Sequence, residues 1–294
     1  MIEFVNSVAN GVLIGLLYAL VAMGFVVIYR ASKVFNFAQG ELIVFSAFLM
    51  WAVVIDRQLP LWIGLPVTFI GAAICGYVLD RLFLSRLVGE SVFSMVMITV
   101  GLLILMRGLI IIIWGAETRA FPVVFPLRPV IVGDIIMSQA LVIGGVITIV
   151  LAFGLSWFFN HTRTGLALTA VSEDQQVALS LGISVRKSMS LAWIIGALIS
   201  AIAACVYLSG RSLNLHAADI AFAALPVALL AGLESITGLI VAGALVGVAQ
   251  SLAQYYLDPW LGLNIASVVP FILILLILLI RPSGLFGWKT IERV

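Results

Sequence analysis

The feature that most constrains this chain is a succession of apolar runs, each close to the length that crosses a lipid bilayer. They cover residues 8–29, 37–55, 60–79, 92–114, 137–159, 188–209, 236–257 and 262–280, and a shorter one covers 221–233. A helix needs roughly 20 mainly apolar residues to span the hydrocarbon core. In lipid it is also the only open-chain structure that satisfies its own backbone. The alternation of a transmembrane β-barrel is absent. Only 28 of the 294 residues are charged (15 Lys+Arg and 13 Asp+Glu), and 64% are apolar. A soluble domain is about a quarter charged, so this chain cannot cover its surface with polar groups. With 26 Gly in no collagen period, two Cys and a net charge of +2, disordered, collagenous, disulfide-stapled and nucleic-acid-binding classes are excluded too. The expected fold is an all-α polytopic integral membrane protein. It has eight to nine membrane-crossing helices, some short or broken, in a single transmembrane domain over 1–294.

Glu3 stands where a signal peptide would carry basic residues, and the first run is longer than a signal core, so it should remain as an anchor. Basic residues bias loops toward the cytoplasm. Placing the N-terminus outside puts Arg30, Lys33, Arg81, Arg86, Arg163, Arg186 and Lys187 inside, and Arg57, Arg119, Arg128 and Arg211 outside. With Arg281, Lys289 and Arg293 of the tail inside, the count is ten against four, and with the tail outside it is seven against seven. The bias asks for nine crossings with a cytoplasmic C-terminus, the 221–233 run included. The alternative is eight, with that run re-entrant.

The longest inner loop, 160–187, differs from the rest. Ser172 and Gln175 stand at capping-box spacing, and Glu173 and Asp174 fall where a helix dipole favours acids. Gly182 suits the left-handed residue that ends a helix, with Arg186 and Lys187 beyond. This predicts a helix over 172–182 of about nine residues, roughly 14 Å long at the α-helical rise. Val177 and Leu181 share one face. Two uses fit such a helix: an interfacial amphipathic segment or a docking element for a cytoplasmic partner.

Some chemistry is missing. Each of the three Lys follows Ser32, Arg186 or Trp288, so no phosphate-binding Gly-Lys loop exists. His161 and His216 fall in loops on opposite sides, leaving no metal site, and Cys75 and Cys205 lie in apolar runs as buried thiols. No catalytic residue, cofactor or metal is expected. The pairs Gly11/Gly15 and Gly243/Gly247 read as small-residue faces for helix packing.

Polar groups inside spans are costly and point to function, and transporter sites favour Gly-interrupted segments in both halves. Two interruptions stand out. Asn36, Gln39 and Glu41 mark one, and Glu234, Ser235 and Thr237 mark the other; both are candidates to flank a translocation path. Glu41 has an alternative as an interfacial acid paired with Arg30 or Lys33, and Glu234 as a solvated turn. Arg107 sits roughly 22 Å along its helix and Glu41 only about 6 Å along its own. In straight helices the two should not pair. Arg107 is expected to snorkel outward or to meet a substrate carboxylate.

Four stretches resemble one family. Residues 163–183, Arg-Thr-Gly-Leu-Ala with Ala170, Glu173-Asp174, Ala178 and Leu181-Gly182-Ile183 following, resemble the coupling loop of ABC importer permeases. Residues 34–42, Val-Phe-Asn-Phe-Ala-Gln-Gly-Glu-Leu, are similar to a signature of the branched-chain amino acid permeases, as are 231–247 and the ending Arg-Pro-Ser-Gly-Leu-Phe-Gly at 281–287. Gln39 stands where His is common, Ala231 where Gly is, and Thr237 where Pro is. The resemblance, to the smaller permease type of that system, implies a translocation subunit in a bacterial inner membrane and not an enzyme. It implies cytoplasmic ATPase subunits contacted through Ser172, Glu173, Asp174, Ala178, Leu181 and Gly182, a second related permease, and a periplasmic or extracellular binding protein. Branched-chain amino acids are the implied solute, with urea or short amides as relatives' cargo. A self-sufficient secondary transporter or channel is the alternative.

Overall fold

The computed structural model describes residues 2–87, 90–126, 128–262, 264–281 and 283–287. Lys289 and Arg293 of the basic count, Pro282 of the C-terminal motif and Leu263 of the last run lie outside them.

Every apolar run forms helix. The long ones are α1 (Ile2–Ser32), α2 (Gln39–Trp51, continued by a π-helical turn Ala52–Asp56), α3 (Leu61–Leu82), α4 (Val92–Trp114) and α5 (Gln139–His161). After α6 (Arg163–Glu173) and α7 (Gln175–Ser180) come α8 (Val185–Leu208), α9 (Ile220–Ala231), α10 (Gly238–Leu261) and α11 (Val269–Ile280). Among the described residues, seven helical stretches have the length and apolarity to cross a membrane, and Leu215–Ala231 and Val269–Ile280 are shorter apolar helices. The ends follow local chemistry. Ser91 and Ser184 accept from the third backbone N–H of α4 and α8, and Gly115, in a conformation open to glycine, ends α4.

Burial runs opposite to that of a soluble protein. Leu279, Ile280 and Ile112 are 80% or more exposed, while Asn36, Gln39, Thr68, Asp80, Thr148 and Ser200 are fully buried. Large apolar side chains face outward because their solvent is hydrocarbon, and polar groups turn inward to find partners. The chain is a multi-pass membrane protein.

The helices form two compact units. The first comprises 1–26, 128–156 and 222–294. Here Gly11 and Gly15 of α1 lie against Gly247 and Gly243 of α10 so closely that a β-carbon on any of the four would overlap facing backbone. These are the small-residue faces read from the sequence, used as expected. A hairpin of β2 (Pro129–Val132) and β3 (Ile135–Ser138) turns at Gly133. Asn6 and Asn10 fasten it to α1 through the carbonyls of Asp134 and Ile136.

The second unit comprises 27–127 and 157–221. α2 packs among α3, α4, α8 and a 3-10 segment, Leu215–Asp219, around a core of Ile28, Leu42, Leu79, Leu102, Met106 and Trp193. Gly76 lets α3 lie on the backbone of α8 at Trp193. Two-residue strands β1 (Arg119–Ala120) and β4 (Ser212–Leu213) pair antiparallel.

Candidate functional site

The early interruption builds a buried polar site in the second unit. α1 ends at Ser32, where Lys33 adopts φ +53° and donates its N–H to the Tyr29 carbonyl at 2.7 Å, a left-handed cap normally taken by glycine. The next residues are not helical. Asn36 Oδ1 accepts the Ala38 N–H at 3.0 Å, closing the turn by the side-chain mimicry typical of Asn, and α2 starts at Gln39. Gly40 sits against the Ala218 carbonyl with no room for a side chain.

Three polar side chains are thereby carried inside. Gln39 Nε2 donates to Ser200 Oγ at 2.8 Å, and Asn36 Nδ2 to Gln39 Oε1 at 3.4 Å. Glu41, 1% exposed, accepts with a single oxygen, Oε1, from both Nε (2.8 Å) and Nη2 (2.7 Å) of Arg107. Its other oxygen, Oε2, is buried with no hydrogen-bond partner among the described residues. The Arg107 side chain is 39% exposed.

This pairing corrects the sequence expectation that Glu41 and Arg107 lie too far apart in depth, and that Arg107 snorkels outward. The error lay in starting α2 and α4 at one level. Thr99 Oγ1 donates to the Phe35 carbonyl at 3.1 Å, which sets Phe35 beside a residue seven positions into α4, about 10 Å along it. Glu41 is raised accordingly, and the long stem of Arg107 spans the rest. The alternative pairing of Glu41 with Arg30 or Lys33 is also overturned. Arg30 lies over the Phe159 ring at 4.4 Å, and Lys33 pairs with Glu173 at 3.3 Å. Ser200 is a member of the cluster that sequence reasoning missed. Its only signal was a hydroxyl inside an apolar span.

The late interruption belongs to the first unit and is built differently. Gly232 (φ +91°) ends α9 with its N–H on Leu229 and the Leu233 N–H on Ala228, a Schellman closure. Gly232 then meets the backbone of Ser283 and Gly287, and Leu285 N–H donates to the Leu230 carbonyl at 2.8 Å. The 231–247 stretch and the chain ending, separate in the sequence, thus meet where Leu230 and Gly232 contact Ser283, Leu285 and Gly287. Ser235 Oγ accepts the Gly238 N–H at 3.1 Å. Thr237 stands at the N-cap of α10 without a side-chain capping bond, and Glu234 is partly exposed. The structure therefore gathers Asn36, Gln39, Glu41 and Arg107 into one site, and leaves Glu234, Ser235 and Thr237 in a turn of their own.

The 160–187 region corrects the single helix expected over 172–182. Thr162 caps α6, accepting from Gly165, so Ser172 falls inside the last turn of that helix and its hydroxyl donates to the Thr169 carbonyl. No Ser172–Gln175 box forms. Asp174 breaks the helix and caps α7, accepting from Gln176 (2.8 Å) and Val177 (3.0 Å). Asp serves as well as Ser at an N-cap, and two caps twelve residues apart make two helices. Gly182 (φ +79°) closes α7 as predicted, with Ile183 N–H on the Ala178 carbonyl at 3.0 Å. Ala178 turns inward against Val171, Val185 and Met189. Val177, Leu179 and Leu181 are exposed, and Glu173 lies at the junction, bound to Lys33.

The family model described as branched-chain amino acid transport system / permease component matches residues 7–278. The chain belongs to that family. Its members are transport subunits, and the match runs through both units and the 160–187 region. Among curated relatives, the high-affinity branched-chain amino acid transport system permease protein BraD of Pseudomonas aeruginosa is 28% identical, covering 99% of this chain and 98% of its own. The corresponding LivH protein of Escherichia coli K12 is 26% identical over the same shares. A probable LivH protein of Methanocaldococcus jannaschii is 26% identical, covering 95% of this chain and 91% of its own. No solved structure matches the chain. Residues 283–287 lie beyond the family match, yet in this permease Ser283, Gly284 and Gly287 pack on Gly232.

Proposed function

We propose that this permease is one translocation subunit of an ATP-driven importer of branched-chain amino acids in a bacterial inner membrane. Its N-terminus lies outside and its C-terminus in the cytoplasm. A second related permease, cytoplasmic ATPase subunits and an external binding protein complete the importer. The observation that carries this reading is the α6–α7 element. It leaves Val177 and Leu179 of a six-residue helix and its C-cap Leu181 exposed, between the closing residues Asp174 and Gly182. Such a patch fits a groove on a partner that moves with ATP. Ser172, Glu173, Asp174, Ala178, Leu181 and Gly182 build or present it. The full-length relatives named as branched-chain amino acid permeases support the solute. Asn36, Gln39, Glu41, Arg107, Glu234, Ser235 and Thr237 are the residues we assign to the pathway.

The test is reconstitution. Proteoliposomes holding this chain alone should accumulate no leucine, whereas those holding all four kinds of subunit should concentrate it when ATP is supplied. Leu181→Asp should abolish most uptake while the chain still inserts. Uphill uptake by the lone chain on an ion gradient would overturn the reading.

A further inference from the structure

The Glu41–Arg107 pair is arranged asymmetrically. Both donor nitrogens of Arg107 converge on Oε1 at 2.7 and 2.8 Å, while Oε2 of a side chain only 1% exposed has no partner among the described residues. A buried carboxylate oxygen ordinarily finds a donor. The two partners also differ in freedom. Glu41 is held in the first turn of α2, next to Gly40, which lies against the Ala218 carbonyl, while the Arg107 side chain is 39% exposed. If Arg107 swings away alone, it strands a buried charge, which is strongly unfavourable. Without a proton moving onto Glu41, both charges stay paired when a cation replaces the guanidinium at Glu41 and an anion meets the guanidinium where it goes.

We infer that Glu41 and Arg107 form a recognition site for zwitterionic α-amino acids, in which the solute inserts between the two charges. Its ammonium donates to Glu41 through Oε2, and its carboxylate accepts from the Arg107 guanidinium. One ion pair becomes two. A neutral amide cannot open the pair, an amine leaves Arg107 without an anion, and a carboxylate leaves Glu41 without a cation. The inference rests on the permease reading above and assigns its solute selection to two named side chains.

The test combines two measurements on one preparation of the assembled transporter. ATP-driven leucine uptake in proteoliposomes examines the permease reading. Saturation-transfer NMR in nanodiscs, without binding protein, compares leucine with 3-methylbutylamine and 4-methylpentanoate. The expected result is a signal for leucine at millimolar concentration and none for either analogue. Glu41→Gln and Arg107→Gln should each reduce that signal at least fivefold. The double variant Glu41→Gln/Arg107→Gln, which keeps a hydrogen-bonded pair without charge, should elute as the intact complex and lose leucine uptake at least tenfold. Leucine uptake above half the unsubstituted level in that double variant, or equal signals from leucine and its analogues, would overturn the inference and leave the permease reading standing. Absence of ATP-driven leucine uptake in the unsubstituted transporter would remove the reading itself, and the inference with it.

Discussion

The two interruptions of the helical run carry the same signature and use it in opposite ways. Each has a left-handed residue other than glycine, Lys33 at φ +53° and Leu233 at φ +47°, and each has an acid after it, Glu41 and Glu234. In the early one the polar side chains are buried and bonded to α4 and α8. In the late one the contact is backbone on backbone, Gly232 against Ser283 and Gly287, and the acid stays partly exposed. A broken helix therefore does not specify a polar site. Whether the polar groups turn inward depends on which neighbours offer donors and acceptors at that depth.

Substitutions can break this contrast. Arg107→Ala should have the largest effect, because it strands a buried carboxylate. Losing one partner of such a pair costs about 3–5 kcal/mol, read as a lowered midpoint of thermal unfolding in detergent. Gly232→Ala should come next. The left-handed backbone costs about 1–2 kcal/mol with a side chain, and overlap with facing backbone adds about 1–3 kcal/mol. Its signature is loss of the packed C-terminus, seen as faster proteolysis after 281. Gln39→Leu removes the Ser200 bond and leaves Asn36 Nδ2 without its acceptor, for about 1–2 kcal/mol. Ser200 itself stays satisfied through the Gly196 carbonyl. Glu234→Ala, in a partly exposed turn, should change the same midpoint by no more than about 0.5 kcal/mol. Equal losses from Arg107→Ala and Glu234→Ala would erase the distinction between the two interruptions.

The α6–α7 region gives a third case. Gly182 ends α7 as its sequence position predicts, because a residue's own conformational freedom is local. The cap of the same helix lies two residues beyond the expected Ser172, because Ser172 and Asp174 compete for one role. Thr162, at the front of the same loop, decides between them by starting α6 early. The β2–β3 hairpin was likewise readable, since Gly133-Asp134 between apolar residues is a two-residue turn signal. The stronger helical pattern on either side masks it.

The amino-acid sequence by itself determined what the chain dissolves in, where it is apolar enough to cross, which glycines face a neighbouring helix, and where α7 stops. All of these depend on composition or on spacing within a few residues, and backbone geometry fixes that spacing. Tertiary structure alone decided that Glu41 meets Arg107, that Gln39 meets Ser200, and that Gly232 rests on the C-terminal turn. Depth in a bundle is set by how one helix slides along another, and here a single bond from Thr99 to the Phe35 carbonyl records that offset. No count along the chain contains it.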